Sequence, residues 1–429
     1  MVDREIRAVK KLLLSREDAL AFRGVSDARR PRGRRWPLSA VLAAVVLGIA
    51  GTASSVRGVE QQTERMGALG VRFGIRRRVP RSTIGRVVAG VEPAELQEHL
   101  ARVIREEHRR KSLEPVALPV GCVALDGKSI RAVHRRKVND DCQEVHPEQG
   151  VTYYNYRVFR AVLMSTAAKL CVGQMTVPAA TNEMGCFQNF FEWLLRSYGR
   201  GDLIEVVFAD SGSTSEANAR RVDEAQRGYV LALKGNQPEL EAEAKRLLVT
   251  KLQREAPEAQ DAGWERDHKG RWIQRRMWRT DEIEGYLGWS HLRQAIVVRT
   301  VQRIGDPRQG SCREEVLEDR YFVSNLPLGH RLKGEQLLRA IRLYWQVEEY
   351  FCVADVELEE DERPYTQVGQ GLPVTTLLRV LAQNLLALLR DVHLRAARHR
   401  VATWRTVRQL VLVTLWSTVD LSQEPATAG

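Results

Sequence analysis

The sequence predicts an α/β protein in which a mixed sheet with flanking helices follows a helical N-terminal domain. Three observations support this fold class: helical spacing of apolar residues up to about residue 112, alternating strand and helix signals over 115–254, and strand-like segments over 255–330. A chain of 429 residues is long enough for two or three domains.

We expect four regions along the chain. Residues 1–112 form a helical N-terminal domain, and 113–254 form the first part of the α/β core. Residues 255–332 form a β-rich insertion. Residues 333–420 return to the core with a long helix that begins near Gly334, followed by C-terminal helices.

One apolar segment resembles a targeting signal. Residues 37–54 are apolar and follow a basic run, which is the layout of a signal peptide. The segment begins too far from Met1, however, and its Ala/Gly-rich stretch is short for a membrane span. We therefore expect a buried helix, no membrane association and a cytoplasmic location.

Within the core, the predicted order is three strands, a helix, a strand, a helix, a strand and a helix. The first strand, "PVGCVALD", ends at Asp126, and a charged loop over 134–150 follows it. The fourth strand, "DLIEVVFAD", ends at Asp210. The last helix, "NQPELEAEAKRLL", is predicted to begin with a capping box between Asn236 and Glu239.

The charge balance favours a polyanionic partner. The net charge is +12, and two arginine clusters lie at 29–35 and 76–81 in the helical region. The segment "VPRSTIGRVVAGV" has the size and basic flank of a recognition helix, although an ordinary bundle with a charged surface is the alternative. The residues expected to contact double-stranded DNA here are Arg76, Arg77, Arg78 and Arg81.

Several classes of protein are disfavoured by missing motifs. The six cysteines include no C-x-x-C pair, which argues against a zinc site or a disulfide framework. The chain has no G-x-x-x-x-G-K-[ST] loop, and no G-x-G-x-x-G follows a strand. Nucleotide-dependent phosphate transfer and dehydrogenase activity are therefore not expected.

Three carboxylates stand out. Asp126 and Asp210 each end a predicted strand, where sites assemble in α/β sheets, although either alone could be a turn or cap residue. On a helical wheel centred on Ile341, Glu348 falls in the middle of the apolar face and Glu349 at its edge. A buried glutamate is costly unless it is paired, for example with Arg342, or coordinated.

Two aspartates and a glutamate would form an all-oxygen site. Such a site suits Mg²⁺ or Mn²⁺, and two ions could bind between the carboxylates to catalyse an in-line displacement at phosphorus. Nearby polar and cationic side chains would hold the nucleic acid. The residues expected to do so are Lys128, Arg131, Lys234 and Asn236.

At this point the sequence resembles a known family. From about Asp27 to Arg390 it is similar to bacterial insertion-sequence transposases with an Asp-Asp-Glu triad on a ribonuclease-H-like fold, in particular the H-repeat-associated branch. "LKGNQPEL" after a strand is a specific signal, whereas "ALDGK" alone is weak. The other stretches that carry the resemblance are "DARRPRGRRWPLSAVLAAVVLGIAG", "GQMTVPAATNE", "VVFAD", "HKGRWIQRRMW", "YFVSNL" and "IRLYWQVEEYFCVADVELEEDERP".

The resemblance implies a mechanism and partners. It matches Asp126 and Asp210 to the two metal aspartates and Glu348 to the glutamate of the W-x-[IV]-E element. It implies DNA cleavage at the ends of a mobile element, followed by transfer of the 3′ ends into target DNA. It further implies a homo-oligomer on paired DNA ends and a β-rich insertion before the glutamate helix.

The sequence also departs from the family pattern. Tyr344 and Cys352 stand where the family usually has histidines, and the interval from Glu348 to Asp355 is one residue short. Aligned from its downstream end, the element would place Glu349 at the catalytic position, but Trp345 and the helical wheel favour Glu348. These departures leave two alternatives: a transposase-derived DNA-binding protein without catalysis, and a metal-dependent nuclease without integration.

Overall fold

The structure is a computed structural model of the full chain. It describes residues 2–132, 141–146, 150, 152–305, 312–363, 365–394 and 402–417. The chain divides into two compact units. The first comprises 1–112, 129–156 and 351–429, and the second comprises 113–128 and 157–350.

The helices of both units are numbered in chain order. The bounds are α1 Val2–Ser15, α2 Glu17–Leu20, α3 Leu38–Ala50, α4 Val56–Arg65, α5 Ala68–Arg72, α6 Arg81–Gly90, α7 Pro93–Arg109, α8 Glu183–Tyr198, α9 Glu216–Glu224, α10 Pro238–Arg254, α11 Glu335–Tyr344, α12 Gln346–Val356, α13 Gly371–Leu388 and α14 Trp404–Trp416. The described N-terminal residues are helical, as predicted.

Two apolar helices form the core of the first unit. α3 and α13 pack against each other, and α13 also contacts α6 and α7. Both are buried on nearly all sides, although α13 includes the polar residues Arg379, Gln383 and Asn384, and such burial is typical of a helix enclosed by others. By length and composition alone, 31–50 and 371–393 could each cross a bilayer, but 61% and 100% of their most apolar windows lie buried inside the protein. The segment at 37–54 therefore contains the buried helix that the sequence predicts.

The described strands form one mixed sheet of eleven strands. Their bounds are β1 Cys122–Ala132, β2 Cys142–Val145, β3 Tyr153–Leu163, β4 Cys171–Val177, β5 Val206–Ala209, β6 Gly228–Leu233, β7 Ala259–Gln260, β8 Glu265–Arg266, β9 Trp272–Thr280, β10 Gln294–Ile304 and β11 Arg313–Ser324.

The order in the sheet is β2-β3-β1-β5-β6-β11-β10-β9-β7, with β4 beside β3 and β8 beside β9. β5 lies parallel to both β1 and β6, whereas β11 is antiparallel to β6 and β10 is antiparallel to β11 and β9. The strands predicted as a β-rich insertion thus continue the central sheet. The predicted fold class, a mixed sheet with flanking helices and a helical N-terminal region, is confirmed.

The first strand is longer than predicted. β1 does not end at Asp126 but continues to Ala132. Beyond Asp126, buried Lys128 and Ile130 alternate with exposed Ser129 and Arg131, which is the two-residue period of a strand. The short strand β2 also lies within the region predicted as a charged loop.

The predicted long helix is broken in the middle. α11 ends at Tyr344 and α12 begins at Gln346, so Trp345 separates two helices. A helical wheel assumes 100° per residue without interruption, and it loses its phase at such a break. In α12 the buried residues include Val347 and Tyr350. Glu348 is exposed, so the predicted burial of its side chain is wrong.

Candidate metal centre

Two predicted site residues meet at the edge where the parallel strands stop pairing. The parallel register of β1 and β5 ends with Leu125 opposite Ala209; Asp126 is the next residue of β1, and Asp210 directly follows β5. Where the pairing of neighbouring parallel strands stops, the residues that follow can project into a shared cleft. The prediction that these two aspartates lie close together is therefore supported by the register itself.

A third carboxylate completes the cluster, and it is not the predicted one. Glu183, the first residue of α8, offers an oxygen that lies with oxygens of Asp126 and Asp210 inside a group no more than 4.8 Å across. Sequence reasoning missed Glu183 because an acidic residue after Asn182 is an ordinary helix start. The available signal was its position inside "GQMTVPAATNE", a stretch that carries the family resemblance.

Burial and mutual repulsion disfavour the ionised forms of this cluster. Burial, followed by the charges of Asp210 and Glu183, raises the pKa of Asp126 to about 8, although the Gly127 N–H partly offsets this. Burial also raises the pKa of Asp210, opposed by backbone N–H groups and by the charge of Lys234. Burial and Asp210 raise the pKa of Glu183. A bound cation would remove this repulsion.

The donor set fits a hard divalent cation. All the cluster atoms are carboxylate oxygens, which Mg²⁺ and Mn²⁺ prefer. Asp210 Oδ1 is buried and has no hydrogen-bond partner within the described part of the chain. A buried acceptor left without a donor is costly, and coordination of a cation would satisfy it.

Glu348 lies near the cluster but outside its compact group. Its charge raises the pKa of both Asp126 and Tyr344, which places it within electrostatic reach. Among the described residues, no hydrogen bond or ion pair of its carboxylate is found. Arg342, the alternative partner considered from the sequence, instead pairs with Asp261 at 2.7 Å and Glu265 at 2.6 Å.

Trp345, three residues before Glu348, contacts arginines from strands of the insertion. The guanidinium groups of Arg275 and Arg320 lie 5.9 and 4.3 Å from the centre of the Trp345 ring. Cation–π contacts of this kind each contribute roughly 0.5–1 kcal/mol at exposed sites. Together with the ion pairs of Arg342, they hold the break between α11 and α12.

Tyr344, which stands where the resemblance leads one to expect a histidine, lies beside the cluster. Its hydroxyl lies 3.4 Å from the carbonyl oxygen of Leu125, the residue before Asp126. Burial and the charge of Asp126 raise the pKa of its phenol well above the usual value. The residue therefore contributes a neutral hydroxyl, whereas a histidine could carry a charge.

The turn after Asp210 is fastened by side chains from several elements. The hydroxyl of Thr214 donates to the Asp210 carbonyl at 3.1 Å and to the Ala232 carbonyl at 2.8 Å. The amide of Asn236 donates to the Thr214 carbonyl at 3.2 Å and also to Ser211. The predicted capping box is therefore wrong: Gln237 precedes α10 without a side-chain cap, because Asn236 supports this turn instead.

The cations expected to hold nucleic acid occupy different environments. Lys128 is buried, with 7% of its surface exposed. Arg131 is exposed and lies 4.7 Å from the ring centre of Tyr153. Lys234 is exposed and lies close enough to Asp210 to lower that residue's pKa. Lys234 is thus well placed for a phosphate near the carboxylates.

The arginines of the helical region lie on its surface, before and at the start of α6. Arg76, Arg77, Arg78 and Arg81 are all exposed. Arg77 lies 3.9 Å from the ring centre of Trp36, and Arg78 pairs with Glu60 at 2.9 Å. The segment interpreted as a recognition helix is helical, as α6, and its apolar side, with Ile84, is buried.

The class of protein follows from these features. A mixed sheet with carboxylates beyond neighbouring parallel strands, and with a glutamate on a later helix, defines an α/β protein suited to divalent-metal chemistry. Residues 121–354 match the family Transposase DDE domain, and 19–104 match the region DDE_Tnp_1-associated. The match to the Transposase DDE domain covers more than half of the chain. The chain therefore belongs to the DDE transposase family. The predicted resemblance is confirmed.

Two similar proteins give further context. "Uncharacterized protein in dhlA 3'region" from Xanthobacter autotrophicus is 29% identical over 207 residues, and the match spans 47% of this chain and 59% of that protein. Among solved structures, the piggyBac transposase synaptic complex with hairpin DNA gives a TM-score of 0.44 at 11% identity, covering 96% of this chain and 78% of that chain.

The raised pKa values predict how metal binding depends on pH. Because the pKa of Asp126 is about 8, a cation must displace a proton at pH 6 but not at pH 9. We expect the apparent Mn²⁺ affinity to rise by up to roughly tenfold per pH unit between pH 6 and 8. Titration calorimetry at several pH values measures this rise.

The same shift affects the metal-free protein. A folded-state pKa above the unfolded value stabilises the fold fully below about pH 4, and this stabilisation is lost as the pH rises through about 8. In chelator, the melting temperature should therefore fall between pH 6 and 8.5, and less so in Asp126→Asn. An equal fall in both proteins would contradict this assignment.

A further prediction concerns Lys234. If its ammonium group holds a phosphate near Asp210, Lys234→Ala should slow DNA strand cleavage by about tenfold or more, and added salt should affect the variant less. Gel assays of cleavage at two ionic strengths measure both effects. Exposed Lys333, replaced by alanine, is the matched control. Cleavage by Lys234→Ala at the wild-type rate would exclude this role.

Proposed function

We propose that the chain is a DNA transposase that cleaves at the ends of an insertion sequence and transfers the 3′ ends to target DNA. The single observation that carries this proposal is the adjacency of Asp126 and Asp210 beyond paired parallel strands, in a chain of the DDE transposase family. Chemistry at phosphodiesters needs clustered carboxylates that present cations to phosphate oxygens.

Asp126, Asp210 and Glu348 are the residues proposed to hold Mg²⁺ or Mn²⁺, with two ions in the working site. When bound, the ions would activate the attacking oxygen and stabilise the leaving oxygen of an in-line displacement. The chain's own residues would orient the DNA. Lys234 would bind a phosphate beside Asp210, and Tyr344 would pack beside Asp126 without adding charge.

The proposed partner is double-stranded DNA, both at the element ends and at the target. Support for a second contact region comes from the exposed arginines around the start of α6, which would bind the phosphate backbone. These residues are Arg76, Arg77, Arg78 and Arg81. We further propose that the protein acts as a homo-oligomer on paired ends, in the bacterial cytoplasm with the nucleoid and without a membrane.

The deciding experiment is a cleavage and strand-transfer assay on DNA that carries the element's own ends. The purified full-length protein is incubated with Mg²⁺ or Mn²⁺, and products are compared with a reaction in chelator. Metal-dependent cutting and joining would support the transposase. Cutting without joining would favour a nuclease, and binding without either reaction would favour a DNA-binding relative that has lost catalysis.

A further inference from the structure

Glu183 is the carboxylate that the family triad leaves unassigned, yet it belongs to the compact group with Asp126 and Asp210. We propose that these three residues form a divalent-cation site that fills before DNA binds and does not require Glu348. This inference rests on the proposed function for the class of cation, Mg²⁺ or Mn²⁺. It adds a metal ligand and an order in which the two ions bind.

The backbone beside Asp126 is shaped around Glu183. A Cβ atom added to Gly127 would lie 1.6 Å from Glu183 Oε1 and 2.8 Å from its Cγ. Real Cβ contacts are never this short, so the Glu183 side chain occupies the space that any other residue at 127 would fill. In the sequence "DGK", the glycine directly follows Asp126. It leaves the space in which the Glu183 side chain approaches β1.

The start of α8 is held in place from several directions. Arg157 donates to the Thr181 carbonyl at 2.6 Å, which fixes the chain before the helix. Asn182 caps the helix by accepting a hydrogen bond from Gly185 N–H at 3.0 Å. Buried Asn218 donates to the carbonyls of Met184 at 3.3 Å and Ser213 at 3.0 Å, and so links the helix start to the turn after Asp210.

An acidic residue in the first turn of a helix also has an ordinary explanation. It can serve only to stabilise the positive end of the helix dipole. That role needs no second carboxylate nearby, and it is best fulfilled in solvent away from other negative charge. Glu183 instead lies against β1 in a group with two aspartates, where a bound cation would offset the mutual repulsion of the ionised forms.

The positions of Glu183 and Glu348 suggest that they bind different ions. Glu183 lies inside the compact group, whereas Glu348 is exposed, and among the described residues its carboxylate has no ion pair. Two ions in one site are commonly shared with the substrate phosphate. The first ion would bind to Asp126, Glu183 and Asp210 in the free protein. Glu348 would contribute to the second ion once DNA supplies phosphate oxygens.

The test is Mn²⁺ binding to the full-length protein without DNA, measured by titration calorimetry at pH 8. Glu183→Gln should weaken Mn²⁺ binding by roughly tenfold to 100-fold, and Glu348→Gln by no more than about twofold. Gly127→Ala should reproduce the loss, because the added methyl group displaces Glu183. Gly329→Ala is the matched control, since nothing lies within 4 Å of a Cβ there.

Circular dichroism and melting in chelator establish that each variant is folded. The inference is overturned if Glu183→Gln binds Mn²⁺ as the wild type does, or if the free wild-type protein binds none. Glu183-dependent Mn²⁺ binding by a protein that neither cuts nor joins DNA would contradict the proposed transposition and support this site. Normal cutting and joining by a protein whose Mn²⁺ binding does not depend on Glu183 would support the proposed transposition and contradict this site.

Discussion

Asp210→Asn should abolish both cleavage and strand transfer while leaving DNA binding largely intact. Removing one charged group that stabilises a transition state typically costs about 100-fold to 1,000-fold in rate, and Asp210 would hold a cation as well. DNA affinity should persist, because the proposed DNA contacts are made by exposed cations such as Arg76 and Arg81 rather than by this carboxylate. Cleavage gels and a binding titration on the same DNA measure the two effects separately.

The stability of this variant provides an internal check. Asp210 repels Asp126 and Glu183 in the metal-free protein, so its neutralisation should leave the melting temperature in chelator equal or higher at pH 8. Exposed Asp281, replaced by asparagine, is the matched control and should retain activity. If Asp210→Asn cleaves DNA at more than about a tenth of the wild-type rate, the proposed centre is wrong.

Glu348→Gln should also abolish cleavage and strand transfer, by about 100-fold or more, with DNA affinity largely kept. The two adjacent glutamates differ in placement only by the turn of α12, and both are exposed. The charge of Glu348 reaches Asp126, whereas Glu349 is not among the charges that shift the pKa of Asp126. Glu349→Gln is therefore the matched control and should remain active in the same assay.

The reverse result would have a clear meaning. If Glu349→Gln is inactive and Glu348→Gln is active, then the glutamate of the family element is shifted by one residue in this chain. If both variants cleave DNA at the wild-type rate, neither glutamate of α12 belongs to the centre, and Glu183 would be its third carboxylate.

The competing functions differ in what they require of these residues. A DNA-binding relative without catalysis needs the basic surface but not the carboxylates, so Asp210→Asn would change nothing that it does. A nuclease needs the carboxylates for cutting alone. The DDE family match extends across Tyr344 and Cys352.

Much of the architecture could be predicted because it depends on local patterns. Continuous apolar runs such as the one before Asp210 predict buried parallel strands, and the apolar segment at 37–54 predicts a buried helix. The paired segments of neighbouring parallel strands stop at a common edge, which is why Asp126 and Asp210 could be paired before their positions were known, although β1 itself continues beyond Asp126. The strands of 255–332 were equally visible from their alternation.

Other features depended on contacts between distant residues. Nothing local distinguishes Glu183 from an ordinary first-turn acid, since its position depends on the gap at Gly127 and on bonds from Arg157 and Asn218. Asn236 had the spacing of a cap, but its amide had a better partner in the turn after Asp210. Local propensity is overridden when a tertiary hydrogen bond is available.

The sequence by itself determined the fold class, the family and the two aspartates, because periodicity and strand ends are properties of short segments. Only the tertiary structure decided the third carboxylate of the compact group and the exposure of Glu348. Both depend on the meeting of separate elements. The Glu183 side chain at the start of α8 lies against β1 where residue 127 has no side chain, and the helix after Gly334 breaks at Trp345, whose ring contacts Arg275 and Arg320 of the insertion. Local sequence patterns do not predict such contacts between distant residues.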